Sequence, residues 1–330
     1  MTNKRRSLKP GVSVATVTLF DAETEDIDVA GMQFHVLRLA KAGINSVTIA
    51  GSNGEGAHLT HKERTLLISA IREVLDGSGY RELPTIVNCS AQSVREVVEL
   101  CRQADQAGAD YSLILPPSYF GGAYTRQCLS DFFTEVASKS PIPVILYNYP
   151  LVVAGTDLDS DLIIDLSSQP NIVGCKFTCV DLGKINRVAT KVDAATSKHN
   201  GSGFYAMAGL ADCIVPTLAA GGTGVIVGLG NVLPKSCVKV FDLYEAGKFD
   251  EAQKLQRLLA AADWTLVAGG VTSVKSVLES YFNYGGHPRR PLPRAEKDAK
   301  ERWAIALKAA VEYEKGIQVW EQETVTGGPK

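Results

Sequence analysis

The stretch Ser46-Val47-Thr48-Ile49-Ala50-Gly51-Ser52-Asn53-Gly54-Glu55, continued by Leu59-Thr60-His61-Lys62-Glu63-Arg64, is where the fold is decided. Its first five residues are a short β-branched run of strand length, and the glycine-punctuated segment after them ends the strand. Thr60 followed three residues later by Glu63 is a capping box, which opens a helix by satisfying two otherwise orphaned backbone donors. A helical pattern then runs from Lys62 to Leu75. Strand, turn and helix make one βα unit.

The unit recurs along the chain. Further strand candidates are Val12–Thr18, Thr85–Asn88, Tyr111–Leu115, Val144–Tyr147, Ile172–Lys176, Asn200–Tyr205 and Gly224–Val227. Most are continuous apolar runs, as expected when both faces of a parallel sheet are covered. Helical patterns separate them, and Gly43 and Gly108 stand where two of these helices should end. Eight such pairs with no Pro/Gly-rich linker between halves fit an α/β chain closed as a (β/α)8 TIM barrel better than an open doubly wound sheet. The barrel is expected over residues 11–246, after a solvated tail over 1–10. A C-terminal helical extension follows over 247–330, with helical segments near Phe249–Leu266, Gly270–Phe282 and Arg294–Glu314 and a frayed end from Thr324.

Composition narrows the function classes. The 330 residues are 45% hydrophobic and 21% charged, with a formal net charge of −2 and both signs interspersed. That balance supplies no electrostatic reason to bind nucleic acid or an anionic membrane, so small molecules are the expected partners. No apolar run reaches the roughly 18 residues of a membrane span. Seven cysteines, an odd number without C-x-x-C spacing, point to reduced thiols and a cytosolic location.

In such a barrel, reactive groups belong where strands end and βα loops begin. Lys176 ends the apolar run Ile172-Val173-Gly174-Cys175, and Tyr147 ends Pro143-Val144-Ile145-Leu146. Burial disfavours the charged form of an amine, and a neutral lysine can attack a carbonyl carbon. A strand-end phenol can shuttle a proton. Taken alone, Lys176 reads equally as a structural lysine and Tyr147 as a structural tyrosine. The Gly51–Glu55 turn offers backbone N–H groups and the Ser52 hydroxyl to a carboxylate or oxyanion. It matches neither G-x-G-x-x-G nor a P-loop, so nucleotide binding is unsupported. The five histidines lack ligand spacing, and no metal site is expected.

In order, G-S-N-G-E at Gly51–Glu55, L-T-H-K-E-R at Leu59–Arg64, Y-N-Y-P at Tyr147–Pro150, G-C-K at Gly174–Lys176, G-L-A-D at Gly209–Asp212 and G-G-T-G-V-I-V-G at Gly221–Gly228 cover nearly the whole barrel. The set resembles the dihydrodipicolinate synthase / N-acetylneuraminate lyase superfamily of pyruvate-type class I aldolases. The resemblance implies that Lys176 forms a Schiff base with a 2-oxo acid and that Tyr147 moves protons. It also implies that Ser52 and Asn53 bind the substrate carboxylate, that Tyr119 completes a hydroxyl relay across a subunit contact, and that Gly209 and Ile226 line the bound acid. A homotetramer of paired dimers and chemistry without metal or organic cofactor are further expectations. Lysine-pathway synthases of this group carry two threonines in the first motif and an arginine soon after Y-N-x-P. Here Ser52-Asn53 and Leu151-Val152-Val153-Ala154-Gly155 stand instead. The resemblance therefore points to the branch cleaving 4-hydroxy-2-oxo acids or 2-keto-3-deoxy sugar acids, such as L-threo-3-deoxy-hexulosonate, to pyruvate and an aldehyde.

Overall fold

A computed structural model describes residues 5–318. Its strands are β1 (Gly11–Ala15), β2 (Ser46–Ile49), β3 (Thr85–Asn88), β4 (Tyr111–Ile114), β5 (Val144–Asn148), β6 (Ile172–Phe177), β7 (Tyr205–Ala208) and β8 (Gly224–Val227). Each pairs in parallel with its successor, and β8 returns to β1, so the sheet closes into the expected barrel and leaves no free edge. The intervening helices are α1 (Val29–Lys41), α2 (His61–Gly77), α3 (Val94–Gln106), α4 (Arg126–Lys139), α5 (Ser160–Leu166), α6 (Leu182–Val192), α7 (Ile214–Ala219) and α8 (Pro234–Glu245). The capping box at Thr60 and Glu63 forms as read, with both reciprocal bonds present. Gly43 and Gly108 take positive φ just beyond α1 and α3.

Alternation along the strands sorts side chains into two buried layers. Outward residues such as Val144, Leu146 and Cys175 pack beneath the helices. Inward residues, among them Ile86, Leu113, Ile145, Met207 and Ile226, fill the barrel.

Two expectations are corrected. Residues 5–10, read as part of a solvated tail, run under the barrel instead. Leu8 is buried among the interior residues, its N–H donating to the Tyr111 hydroxyl (3.0 Å) and its carbonyl accepting from the Tyr205 hydroxyl (2.6 Å). Arg6 pairs with Asp110 at 3.2 Å. Tyr111 and Tyr205 begin β4 and β7, so Leu8 closes the barrel at its N-terminal mouth. The seventh strand also lies later than expected: it is Tyr205–Ala208, and residues 200–203 form a turn with positive φ at Gly201 and Gly203. Ala206-Met207-Ala208 has weak intrinsic strand character, and its place between β6 and β8 makes it a strand.

Beyond the barrel, α9 (Phe249–Phe282) changes direction at Gly270, whose φ of 62° and ψ of −161° are non-helical, and α10 (Lys297–Gly316) packs along it. The bend falls at the expected Gly269-Gly270 break. The frayed end expected from Thr324 lies outside the described residues. Among the described residues, no helix is long and apolar enough to cross a membrane.

Candidate functional site

Lys176 faces the barrel interior because β6 is irregular. Val144 pairs with Ile172, but Ile145 pairs with Gly174, leaving Val173 as an extra residue. Strict alternation from the outward Ile172 would turn Lys176 outward; the bulge restores parity, setting Lys176 beside the inward Tyr147. Gly174 suits this arrangement, since a Cβ there would stand 2.6 Å from the Tyr205 carbonyl oxygen.

Lys176 is 4% exposed, and its Nζ lies 3.2 Å from the Tyr147 phenol oxygen and 4.3 Å from the centroid of its ring. The same phenol lies 3.5 Å from Ser52 Oγ. Nitrogen, phenol and serine hydroxyl thus form a short chain at the C-terminal mouth. Tyr149 stacks on Tyr147 at 5.9 Å between centroids, and burial pushes its own phenol up, with Tyr147 adding to the effect. Between them, the buried Asn148 donates to Asp157 (2.7 Å) and accepts from the Leu158 N–H (3.0 Å), while Lys184 pairs with Asp157 at 2.6 Å. These bonds anchor the loop after β5.

The turn bearing Ser52 and Asn53 is held just as closely. Ala50 and Glu55, at its two ends, adopt left-handed φ of 55° and 51°, a conformation that costs a non-glycine residue energy and concentrates at functional turns. A Cβ at Gly56 would meet the Ala50 carbonyl oxygen at 1.9 Å, so no larger residue fits. The Gly54 carbonyl accepts from the Thr18 hydroxyl at 2.7 Å. Asn53 lies over Gly228 at the end of β8, its side-chain nitrogen 2.9 Å from where a Cβ of that glycine would stand.

Gly209 follows β7 and donates to the Phe177 carbonyl at 2.8 Å. Ile226 is fully buried in the interior layer with Tyr147 and Met207. Tyr119 is not brought to this cluster: it is 80% exposed, held by its backbone N–H to Gln92, with its ring edge-on to Phe120.

One residue was missed by the sequence reading. Thr178 stands two positions beyond Lys176, and its hydroxyl is buried without a hydrogen-bond partner among the described residues. It sits 1.8 Å from where a Gly209 Cβ would be, so Gly209 must remain glycine for Thr178 to keep its place. Buried hydroxyls are normally paired, and an orphan two positions beyond Lys176 on the same strand end suits a ligand hydroxyl. The period of two from Lys176 was the available signal.

Four of the five histidines have side-chain partners among the described residues: His35 bonds Asn231 and Tyr284, His58 Glu55, His61 Glu96, and His199 Asp193. Among the described residues, no group of three or more His, Cys, Asp or Glu side chains could hold a metal ion.

Comparison with known proteins shows the chain's family. The chain is 45% identical to the L-threo-3-deoxy-hexylosonate aldolase of Aspergillus niger, over 94% of this chain and 97% of that one. It is 44% identical to a protein of Emericella nidulans named probable 4-hydroxy-2-oxoglutarate aldolase, mitochondrial, over 95% and 98%. Among solved structures it resembles YagE, a prophage protein of the dihydrodipicolinic acid synthase family from E. coli K12 in complex with pyruvate, with a TM-score of 0.83, 26% identity and coverage of 92% and 99%. The family model described as Dihydrodipicolinate synthetase family matches residues 9–310, and by that match and these relatives the chain belongs to that family.

Proposed function

We propose that the protein is a class I aldolase that cleaves a 2-keto-3-deoxy sugar acid, of the L-threo-3-deoxy-hexulosonate type, to pyruvate and an aldehyde. The observation that carries the reading is the chain Lys176 Nζ, Tyr147 OH, Ser52 Oγ, with separations of 3.2 and 3.5 Å in a buried barrel mouth. The aldolase relatives and the pyruvate complex of YagE support it.

In this reading the neutral amine of Lys176 attacks the C2 carbonyl. The Tyr147 phenol protonates the departing carbinolamine hydroxyl, water leaves, and an iminium remains. The Tyr147 phenolate then takes the proton of the C4 hydroxyl. The C3–C4 bond breaks, its electron pair passing into the iminium to form an enamine, and the aldehyde departs. Protonation at C3 and return of the water release pyruvate and the free lysine. Ser52 and Asn53 hold the substrate carboxylate through hydroxyl and backbone N–H groups, and Gly209 and Ile226 bound the three-carbon unit. Thr178 meets a hydroxyl of the longer chain. Tyr119 serves the relay from a neighbouring subunit in a homotetramer of paired dimers. The location we propose is the cytosol, which subcellular fractionation checks.

The 44%-identical Emericella relative favours a second substrate for the same centre, 4-hydroxy-2-oxoglutarate. Incubation with 2-keto-3-deoxy acids of both C4 configurations, with 4-hydroxy-2-oxoglutarate, and with pyruvate plus aspartate semialdehyde separates the readings by product. Pyruvate plus a hydroxyaldehyde from the sugar acid supports the first. Water loss without carbon cleavage, or condensation alone, removes it.

A further inference from the structure

The C-terminal extension reaches back into both turns that border the site. At one, Glu55 ends the Gly51–Glu55 turn with its carboxylate buried. Lys275 of α9, itself fully buried, donates to Glu55 Oε1 at 2.6 Å and to the His287 carbonyl at 3.0 Å. The Arg289 N–H donates to Glu55 Oε2 at 2.8 Å, and the Lys275 ammonium lies 4.4 Å from the centroid of the Phe20 ring. At the other turn, Asp263 of α9 accepts from the N–H groups of Ala211 (2.7 Å) and Asp212 (3.0 Å). Gln256 on the same helix donates to the Ala211 carbonyl (2.8 Å) and accepts from the Val215 N–H (2.9 Å). Asp263 and Lys275 lie on opposite sides of the bend at Gly270.

A buried ion pair is a poor source of stability, because desolvating two charges offsets their attraction. What such a pair does well is fix geometry: with its partner gone, the remaining charge cannot stay where it was. The bend lets one helix point a cation at the first turn and an acceptor at the second.

We propose that α9 is a strut for the substrate pocket, with Lys275 and Asp263 as positioning residues that hold the Ser52-Asn53 turn and the Gly209 turn. The link to substrate binding rests on the proposed aldolase reading; the mechanical role does not.

The two are tested separately in the full-length protein. Amide hydrogen exchange is compared for wild type, Lys275→Met and Asp263→Ala. The expected result is exchange faster by about tenfold or more over residues 51–59 in the first variant and over 209–215 in the second, with β5 and β6 unchanged. Pyruvate-dependent borohydride trapping of Lys275→Met should need about tenfold more pyruvate for half-maximal rate, while the maximal rate stays within about threefold, a split that general loss of stability does not produce. Lys275→Gln keeps a neutral donor toward Glu55 and serves if the methionine variant does not fold. Unchanged exchange over 51–59, exchange rising everywhere together, or failure of both Lys275 variants to fold overturns the strut. If wild type itself is not trapped by pyruvate, the aldolase reading falls and the exchange pattern alone decides.

Discussion

Lys176 Nζ and the Tyr147 phenol oxygen stand 3.2 Å apart on adjacent strands, in register because a single extra residue, Val173, precedes them on β6. The distance is within reach of direct proton transfer, and the serine hydroxyl beyond the phenol extends the path toward the mouth. Tyr147→Phe keeps the ring that the lysine overlies and removes only the proton carrier. Turnover of the sugar acid should fall by about 10²- to 10⁴-fold, the usual worth of a positioned acid–base group, with the fold intact by circular dichroism. A loss below about threefold assigns the proton steps elsewhere.

Thr178 carries a hydroxyl that no neighbour among the described residues satisfies. Thr178→Val removes it without changing shape, so the protein should be as stable as wild type or more so, by up to about 1–2 kcal/mol, since an unpaired buried hydroxyl is itself destabilising. If the hydroxyl meets the substrate chain, kcat/KM for the sugar acid should fall about tenfold while trapping with pyruvate, which lacks that chain, is unaffected. An equal loss for both makes Thr178 a wall of the three-carbon pocket.

His35 gives the fold a dependence on pH whose sign can be worked out. Asn231 Oδ1 accepts from the Val17 N–H and its amide donates to the Ala15 and Gly228 carbonyls, which fixes its orientation. His35 Nε2–H therefore donates to Asn231 (2.9 Å), and Nδ1 accepts from the Tyr284 hydroxyl (2.7 Å). Burial holds the imidazole down to about 4, with Asn231 opposing and Arg38 adding. Its folded value lies below its unfolded one, so its contribution is present above pH 6.5 and is lost as pH falls toward 4. Asp263 acts with the opposite sign. Burial pushes it up to about 7 against two backbone N–H bonds, so it favours the folded state most at low pH and less as pH rises from 3.8 to about 7. A difference measurement isolates the histidine: between pH 6.5 and 4, wild type should lose roughly 3 kcal/mol more in urea unfolding than His35→Gln does. Parallel curves for the two proteins contradict the assignment.

Leu8 closes the lower end of the barrel among Tyr111, Ile86 and Tyr205. Truncation of a fully buried leucine leaves a cavity, so Leu8→Ala should cost about 2–4 kcal/mol in chemical unfolding. A residue on a solvated tail would cost less than about 0.5 kcal/mol.

Much of this is legible in the sequence, for reasons specific to each residue. Lys176 and Tyr147 stand out because each ends an apolar run at a point where a parallel barrel exposes its strand termini. Thr178 does not, because Phe177 extends β6 one residue past the lysine and the apolar run alone does not mark that end. The bulge at Val173 is a register feature between strands and leaves no mark in one strand's own pattern. Leu8 was hidden by the basic cluster before it, since charge suggests a solvated tail while the leucine's place is set by two tyrosines about 100 and 200 residues away. The Glu55–Lys275 pair spans 220 positions and joins a turn to a distant helix, and neither neighbourhood gives a local hint of contact.

If Lys176 is the nucleophile, borohydride reduces its iminium to a stable amine. Incubating the protein with pyruvate and borohydride, then digesting it for mass spectrometry, should place one stable three-carbon addition on Lys176. No addition should form without pyruvate or in Lys176→Ala, which should also have lost turnover. An unlabelled Lys176 in wild type, or an addition carried by another lysine, contradicts that role.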